Sequence, residues 1–289
     1  MTPSTEPSVS TDRPPALRGW LDAFGRIVSA AIARLGRPVR PNAAPGLRLF
    51  DNWAERFSAA LIGLALVLAG MAYVDPVLQG LRGSLSGSTA VFWEMVTDVG
   101  RSGWVLIPSG VMILVILAVA PPVRSFADRL MLSLVARLAF VFIAVGGSGL
   151  IVTTVKRIIA RGRPRYFEEF GSLHFQFPSW QASYASFPSG HSQTAFAIAL
   201  AFAALFPRWR KPLIAAALVV ATSRVAVDAH YFTDIVAGSL WGAWFTIMTR
   251  DWFARRGLVF APGPDRRPFP MPWRRVRQAL GQIARRLRP

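Results

Sequence analysis

Three short segments hold residue types that could handle a phosphoryl group. Lys156 is separated by six residues from Arg163-Pro164, and Pro188-Ser189-Gly190-His191 opens an apolar stretch. Ser223-Arg224 is separated by five residues from His230, and His230 by three from Asp234. The chain has three histidines, and two of them are in these segments. Breaking a phosphate monoester needs fixed positive charge and N–H donors for the phosphate oxygens. Lys156, Arg163 and Arg224 can supply the charge, and the arginine fork suits two oxygens at once. The Ser189-Gly190 backbone, at the start of a helix, adds amides and the positive end of a helix dipole. A nucleophile and a proton donor are also required, and two histidines can divide those roles because imidazole titrates near neutrality. Asp234, at i+4 from His230, can accept the proton of one ring nitrogen and leave the other free to attack phosphorus.

These segments must be brought together by long apolar elements. The 289 residues are 53% hydrophobic with mean hydropathy +0.38, and the apolar residues come in blocks. Six blocks read as helices: about 57–73, 104–120, 132–154, 192–206, 212–227 and 235–248. Crossing the hydrocarbon core takes roughly 20 residues. The last three blocks reach that length only if their polar flanks, which include the motif residues, continue the helices. The expected fold is therefore all-α, a six-transmembrane-helix bundle over residues 51–250. Residues 1–50 form a cytoplasmic tail, disordered over 1–15, with an amphipathic helix around Leu17, Leu21, Phe24, Val28, Ile32 and Leu35. Residues 251–289 form a basic tail whose face Trp273, Val276, Leu280, Ile283 and Leu287 suits a membrane surface.

The net charge is +18, with only two lysines, and the basic residues concentrate outside the apolar blocks. Six spans put the N-terminal tail, Arg124, Arg129, Arg208, Arg210, Lys211 and the C-terminal tail on one side, expected to be cytoplasmic. The loop with Lys156, Arg157, Arg161, Arg163 and Arg165 breaks that rule on the opposite side, and an anion-binding site there explains it. With no cysteine in the chain, disulfides and thiolate chemistry are excluded. Residues 1–50 contain no early apolar run, so no cleavable signal peptide is expected.

The eleven specified positions, in this order and spacing, resemble the signature of the type 2 phosphatidic acid phosphatase (PAP2) superfamily of lipid phosphatases and acid phosphatases. The signature stretches from Lys156 to Asp234, and the helical plan is similar to the family's membrane branch over about 57–249. The segment Asp98-Val99-Gly100-Arg101-Ser102-Gly103-Trp104 also looks like one that bacterial members carry before their second helix. The resemblance implies that His230 is the nucleophile, forming a phosphohistidine, with Asp234 orienting it. It implies that His191 protonates the leaving alkoxide, and that Lys156, Arg163, Ser189, Gly190 and Arg224 bind phosphate. No metal and no cofactor is implied, in keeping with the few carboxylates between residues 121 and 249. The implied setting is a bacterial inner membrane, with both termini cytoplasmic, the site facing the periplasm, and a lipid phosphate or pyrophosphate as substrate.

Other residues read more plainly. Arg161 and Arg165 are expected to snorkel to the interface. His174, Asp228 and the Glu168-Glu169 pair are expected to be ordinary loop residues. The aromatic-rich loop from Tyr166 to Phe187 suits either lipid-tail capture or simple anchoring at the bilayer interface. A serine hydrolase is disfavoured because neither Ser189 nor Ser192 sits in a G-x-S-x-G turn. A transporter or scaffold is disfavoured because the charges gather at one face and not at the midplane. A small soluble phosphate ester is the alternative substrate. No nucleic-acid partner is expected.

Overall fold

The computed structural model describes residues 25, 28–29, 32–33, 35–39, 52–80, 87–119, 126–262 and 268–270. Each apolar block becomes a helix. Helix α1 (Trp53–Ala69) starts at Asn52, whose side chain accepts from the Glu55 amide at 2.8 Å. It continues through a π-helical turn (Gly70–Val74) into α2 (Asp75–Gly80). Helices α3 (Gly87–Asp98) and α4 (Gly103–Val119) follow. Helix α5 (Phe126–Phe142) runs through a second π turn (Ile143–Gly147) into α6 (Ser148–Ile159). After a loop with the short α7 (Phe167–Phe170) come α8 (Gly190–Leu205), α9 (Arg210–Ala226) and α10 (Phe232–Arg255).

Three continuous runs, Trp53–Gln79, Gly87–Ala118 and Met131–Ile159, are long and apolar enough to cross a membrane. Their outer faces expose Leu61, Leu64, Leu66, Ile107 and Leu114, side chains suited to lipid and not to water. The expectation of six spans rests on six helices, of which these three qualify by length and composition. At 16 residues α8 is about 24 Å long.

Helices α8 and α10 form the most extensive contact in the molecule. The sequence makes this possible with small residues. A Cβ on Gly238 would lie 2.2 Å from the Ser189 carbonyl oxygen, and one on Gly242 2.3 Å from that of Gln193. Two glycines four apart on α10 thus let the backbone of α8 come into direct contact. Small residues bury α8 on its other sides too: Ala195 and Ala199 pack with Ala217 and Val220 of α9, and Ala197 and Ala201 enter the apolar core. Away from the histidines, this helix pair meets α5 in an apolar core. There the Phe140 ring stands edge-on to Phe253 at 5.5 Å and to Phe260 at 5.0 Å.

Two features depart from the sequence reading. Residues 74–103, which lie between the first two apolar blocks, hold α2 and α3. An antiparallel ribbon of β1 (Phe260–Pro262) and β2 (Pro268–Pro270) follows α10. The expected tail at 1–15 and the amphipathic C-terminal face from Trp273 to Leu287 lie outside the described residues. Of the N-terminal amphipathic stretch, Val28 and Leu35 pack against the helix bundle.

Candidate active site

The three segments meet at one end of the bundle. Lys156 lies in the last turn of α6, and its Nζ is 3.6 Å from where a Gly190 Cβ would stand. Arg163 follows in the adjoining loop, where its amide donates to the Ser183 carbonyl at 3.0 Å. Ser189 caps α8, its Oγ accepting from the Ser192 amide at 3.4 Å and the Ser192 hydroxyl at 2.9 Å. The next amides, of Gly190 and His191, begin the helix and have no intrahelical acceptor. Arg224 ends α9, and its carbonyl accepts from the His230 amide at 3.2 Å. Asp234 sits in the first turn of α10, and its carbonyl accepts from the Ser189 amide at 3.0 Å, which ties the two helix starts together. His191 and His230 thus open at the same end, and both have Lys156 and Arg224 as charged neighbours.

His230 is 2% exposed and Asp234 is fully buried. The His230 Nδ1 faces the Asp234 Oδ2 across 3.5 Å, a long contact, and has no hydrogen-bond partner closer than that. The carboxylate itself is held firmly. Its Oδ2 accepts from the Ser186 hydroxyl at 2.5 Å and the Tyr231 amide at 3.0 Å, and its Oδ1 accepts from Arg161 at 2.6 Å. Burial pushes the His230 imidazole down to about 4, against the Asp234 carboxylate, which pulls it upward; Lys156 and Arg224 lower it further. Its neutral form therefore prevails at neutral pH.

Among the described residues, Lys156, Arg163 and Arg224 form no ion pair. Arg163 and Arg224 each bury an Nε–H with no acceptor, although Arg224 donates through Nη1 to the Thr97 hydroxyl. Burial, then the Arg165 charge, lowers the Arg163 guanidinium below its usual range. A buried donor without an acceptor costs about 1–3 kcal/mol. An anion bound among these groups would remove that cost. The α3–α4 turn closes one side, because a Gly100 Cβ would lie 3.0 Å from His191 Cβ and Cδ2. This turn belongs to the Asp98–Trp104 segment singled out in the sequence. Among the described residues, no three His, Asp or Glu side chains gather as a metal site would.

One expectation is overturned and others are refined. Arg161 does not snorkel: it is 0% exposed and makes ion pairs to Asp234 at 2.6 Å and to Asp75 at 2.8 Å. Asp228 is half-buried, accepts from Gln79 at 3.1 Å and holds a left-handed backbone at φ 55°. Glu168 and Glu169 are exposed, and His174 stacks on Phe170 at 4.3 Å, its carbonyl accepting from the Gly162 amide at 2.8 Å. Sequence reasoning missed Asp75, Ser186 and Thr233. An aspartate at the edge of an apolar block was the one available signal for the first of these.

The PAP2 superfamily model matches residues 136–258. The chain is 40% identical over 179 residues to the lipid A 1-phosphatase of Rhizobium johnstonii, covering 61% of this chain and 72% of that protein. It is 39% identical, also over 179 residues, to the lipid A 1-phosphatase of Rhizobium etli, covering 61% and 76% respectively. The crystal structure of a transmembrane PAP2 type phosphatidylglycerolphosphate phosphatase from Bacillus subtilis aligns with TM-score 0.47 and 20% identity. That alignment covers 67% of this chain and 93% of that one.

Proposed function

The chain belongs to the PAP2 superfamily of membrane phosphatases, and on that premise we propose that it removes a phosphate monoester from lipid A through a phosphohistidine on His230. One observation carries the chemistry. A buried, neutral imidazole faces a fixed carboxylate on one side and sits among Arg163 and Arg224 guanidiniums that retain unpaired N–H donors. The headgroup rests on the lipid A 1-phosphatases, which share 40% and 39% identity with this chain.

In the proposed reaction, Lys156, Arg163, Arg224 and the first amides of α8 hold the phosphate oxygens. The His230 Nε2 lone pair attacks phosphorus while Nδ1–H donates to Asp234. A P–N bond forms as the bond from phosphorus to the lipid oxygen breaks, and His191, protonated once the negative charge of the bound phosphate offsets the surrounding cations, gives its proton to that leaving oxygen. Water then attacks phosphorus as the now neutral His191 accepts its proton, and the P–N bond breaks with its electron pair returning to His230 Nε2. Inorganic phosphate leaves, and both histidines return to their starting states.

The site is proposed to face the periplasm of a bacterial inner membrane, with both termini cytoplasmic. The end of the bundle opposite the histidines supports this, since it carries Arg208, Arg210, Lys211, Arg250, Arg255 and Arg256.

The test is phosphate release by purified protein in detergent with EDTA present. Lipid A phosphate, phosphatidic acid, phosphatidylglycerol phosphate, undecaprenyl pyrophosphate and a short soluble ester are compared. The expected result is full activity in EDTA and the highest kcat/KM on lipid A phosphate. Preference for another headgroup overturns the substrate assignment, and a strict Mg²⁺ requirement overturns the mechanism.

A further inference from the structure

Arg161 has five N–H groups and uses all of them. Nε and Nη2 donate to the Ser172 carbonyl at 3.0 and 2.8 Å, and Nη2 also donates to Asp75 Oδ2 at 2.8 Å. Nη1 donates to the Thr233 hydroxyl at 2.9 Å and to Asp234 Oδ1 at 2.6 Å. The Tyr231 ring covers the guanidinium at 4.2 Å. Asp75 is equally committed, accepting from the Thr233 amide at 3.0 Å and from its hydroxyl at 2.5 Å. Arg161, Asp75 and Asp234 are all fully buried.

The first helical run is shaped to deliver this aspartate. Its π turn at Gly70–Val74 immediately precedes Asp75, and such turns are frequent at functional sites. Gly70 is required there, because a Cβ would lie 2.8 Å from the Thr233 methyl. The Met71 carbonyl in the same turn accepts from the Ser172 hydroxyl at 2.6 Å, so the run is fastened to the loop that holds Arg161 as well.

We infer that Asp75 and Arg161 are positioning residues, a buried brace that fixes the Asp234 carboxylate and sets the charge it presents to His230. The inference rests on the nucleophilic role proposed for His230. Arg161 locks Oδ1, which turns Oδ2 toward the imidazole. Its positive charge alone would cancel the carboxylate's pull on the Nδ1 proton. Asp75 offsets that charge, so the Asp75–Arg161–Asp234 group keeps a net charge of −1. A packing role alone would not need this balance, since buried ion pairs are seldom a net gain in stability.

The pH dependence of the reaction separates the two roles. His230 faces Asp234 on α10, Lys156 on α6, Arg224 on α9 and His191 on α8. Arg161 and Arg163 lie in the loop after α6, Asp228 in the turn before His230, and Asp75 on α2. Asp75→Asn changes one charge in this set and keeps the shape. It takes the brace to neutral, so the His230 proton is held less well.

The experiment measures kcat, KM and the acid limb of kcat/KM for phosphate release by detergent-solubilised full-length protein. Asp75→Asn is expected to lower kcat about 10–100-fold, the range typical of residues that orient a catalytic group. KM should change less than about twofold, and the acid limb should move to lower pH. Thr233→Val removes only the hydroxyl bridging Arg161 and Asp75, and should lower kcat severalfold with no change of charge. It carries the test if Asp75→Asn does not fold. A wild-type kcat and acid limb in Asp75→Asn overturns the brace, as does a wild-type kcat in Thr233→Val or a loss that only follows the folded fraction. His230→Ala separates this failure from that of the proposed function. If His230→Ala retains turnover, the nucleophile assignment fails; if it is inactive while Asp75→Asn behaves as wild type, only the brace fails.

Discussion

Helices α8 and α10 run side by side, and their two ends are built on opposite principles. Where both helices begin, the buried side chains are Ser186, Ser189, Ser192, Arg161, His230 and Asp234. Two helix N-termini point the same way there, and each brings a positive dipole end. Where they finish, the buried side chains are Leu205, Phe253, Val259 and Phe260, packed on Phe140. The first end holds cationic N–H donors without acceptors and a histidine Nδ1 with no close partner. The second is apolar and packs its aromatic rings edge to face, and the buried Arg256 Nε there lies beyond that core. The apolar end is built to pack, and the charged end has the N–H donors that the proposed phosphate binding would use.

The sharpest way to break this comparison is at the nucleophile. His230→Ala should reduce turnover by about 10⁴-fold or more while leaving thermal unfolding nearly unchanged. His191→Ala should cost about 10²–10⁴-fold and should still form a phosphoenzyme with an activated substrate, detectable after acid-free quenching. The pH profile carries the same signature. Burial holds His230 near 4, so its reactive neutral form is present above that value, and the rate should fall about tenfold per unit as pH drops through it. Substantial turnover in His230→Ala would dissolve the contrast between the two ends.

A smaller effect should come from the contact that joins the ends. Gly238→Ala drives a methyl group into the Ser189 carbonyl, 2.2 Å away. Overpacking of this kind costs about 1–3 kcal/mol, and displacing the start of α8 by about 1 Å can cost about 10²-fold in rate. Both unfolding temperature and kcat should therefore fall. Phe253→Ala acts at the far end only. It should destabilise by about 3–5 kcal/mol and leave kcat per folded molecule intact. If Phe253→Ala lowered kcat as much as Gly238→Ala, the two ends would not be separable.

How much of this was legible follows from how far each interaction reaches along the chain. His230 and Asp234 are four residues apart, so spacing alone revealed the couple. Ser189-Gly190-His191 was readable because a helix start has a recognisable local pattern. The six apolar blocks gave the helices for the same reason. Arg161 could not be read in this way, because its partners Asp75 and Asp234 are 86 and 73 residues away. Its position near a helix end suggested a snorkelling side chain, and only the fold shows that it points inward. Asp75 meets Thr233 across 158 residues, and nothing periodic links them. Helix α3 was missed because Glu94 interrupts a short apolar run. Gly238 and Gly242 carried a visible spacing, but the helix they admit was not identifiable without the structure.

The smallest expected effect concerns substrate capture at the histidine end. The loop after α6 exposes Trp180 to 83% and Phe177 to 66%, far more than packing against the protein requires. Phe177 stacks on Phe175 at 5.3 Å, and Arg157 reaches back to the Trp180 carbonyl, so the loop is shaped although these two rings are uncovered. Rings of this kind favour the boundary between lipid headgroups and tails. Two roles are then distinguishable. If the rings only anchor the loop, replacing them should affect long- and short-chain substrates alike. If they also contact the incoming lipid, covering about 60 Å² of the two rings together with an acyl chain contributes about 1.5 kcal/mol, or roughly tenfold in apparent affinity. Trp180→Ser with Phe177→Ser should then raise KM about tenfold for a long-chain lipid phosphate and leave KM for a short-chain analogue and both kcat values within about twofold. Equal changes for the two substrates would reduce the loop to an anchor and confine recognition to the phosphate.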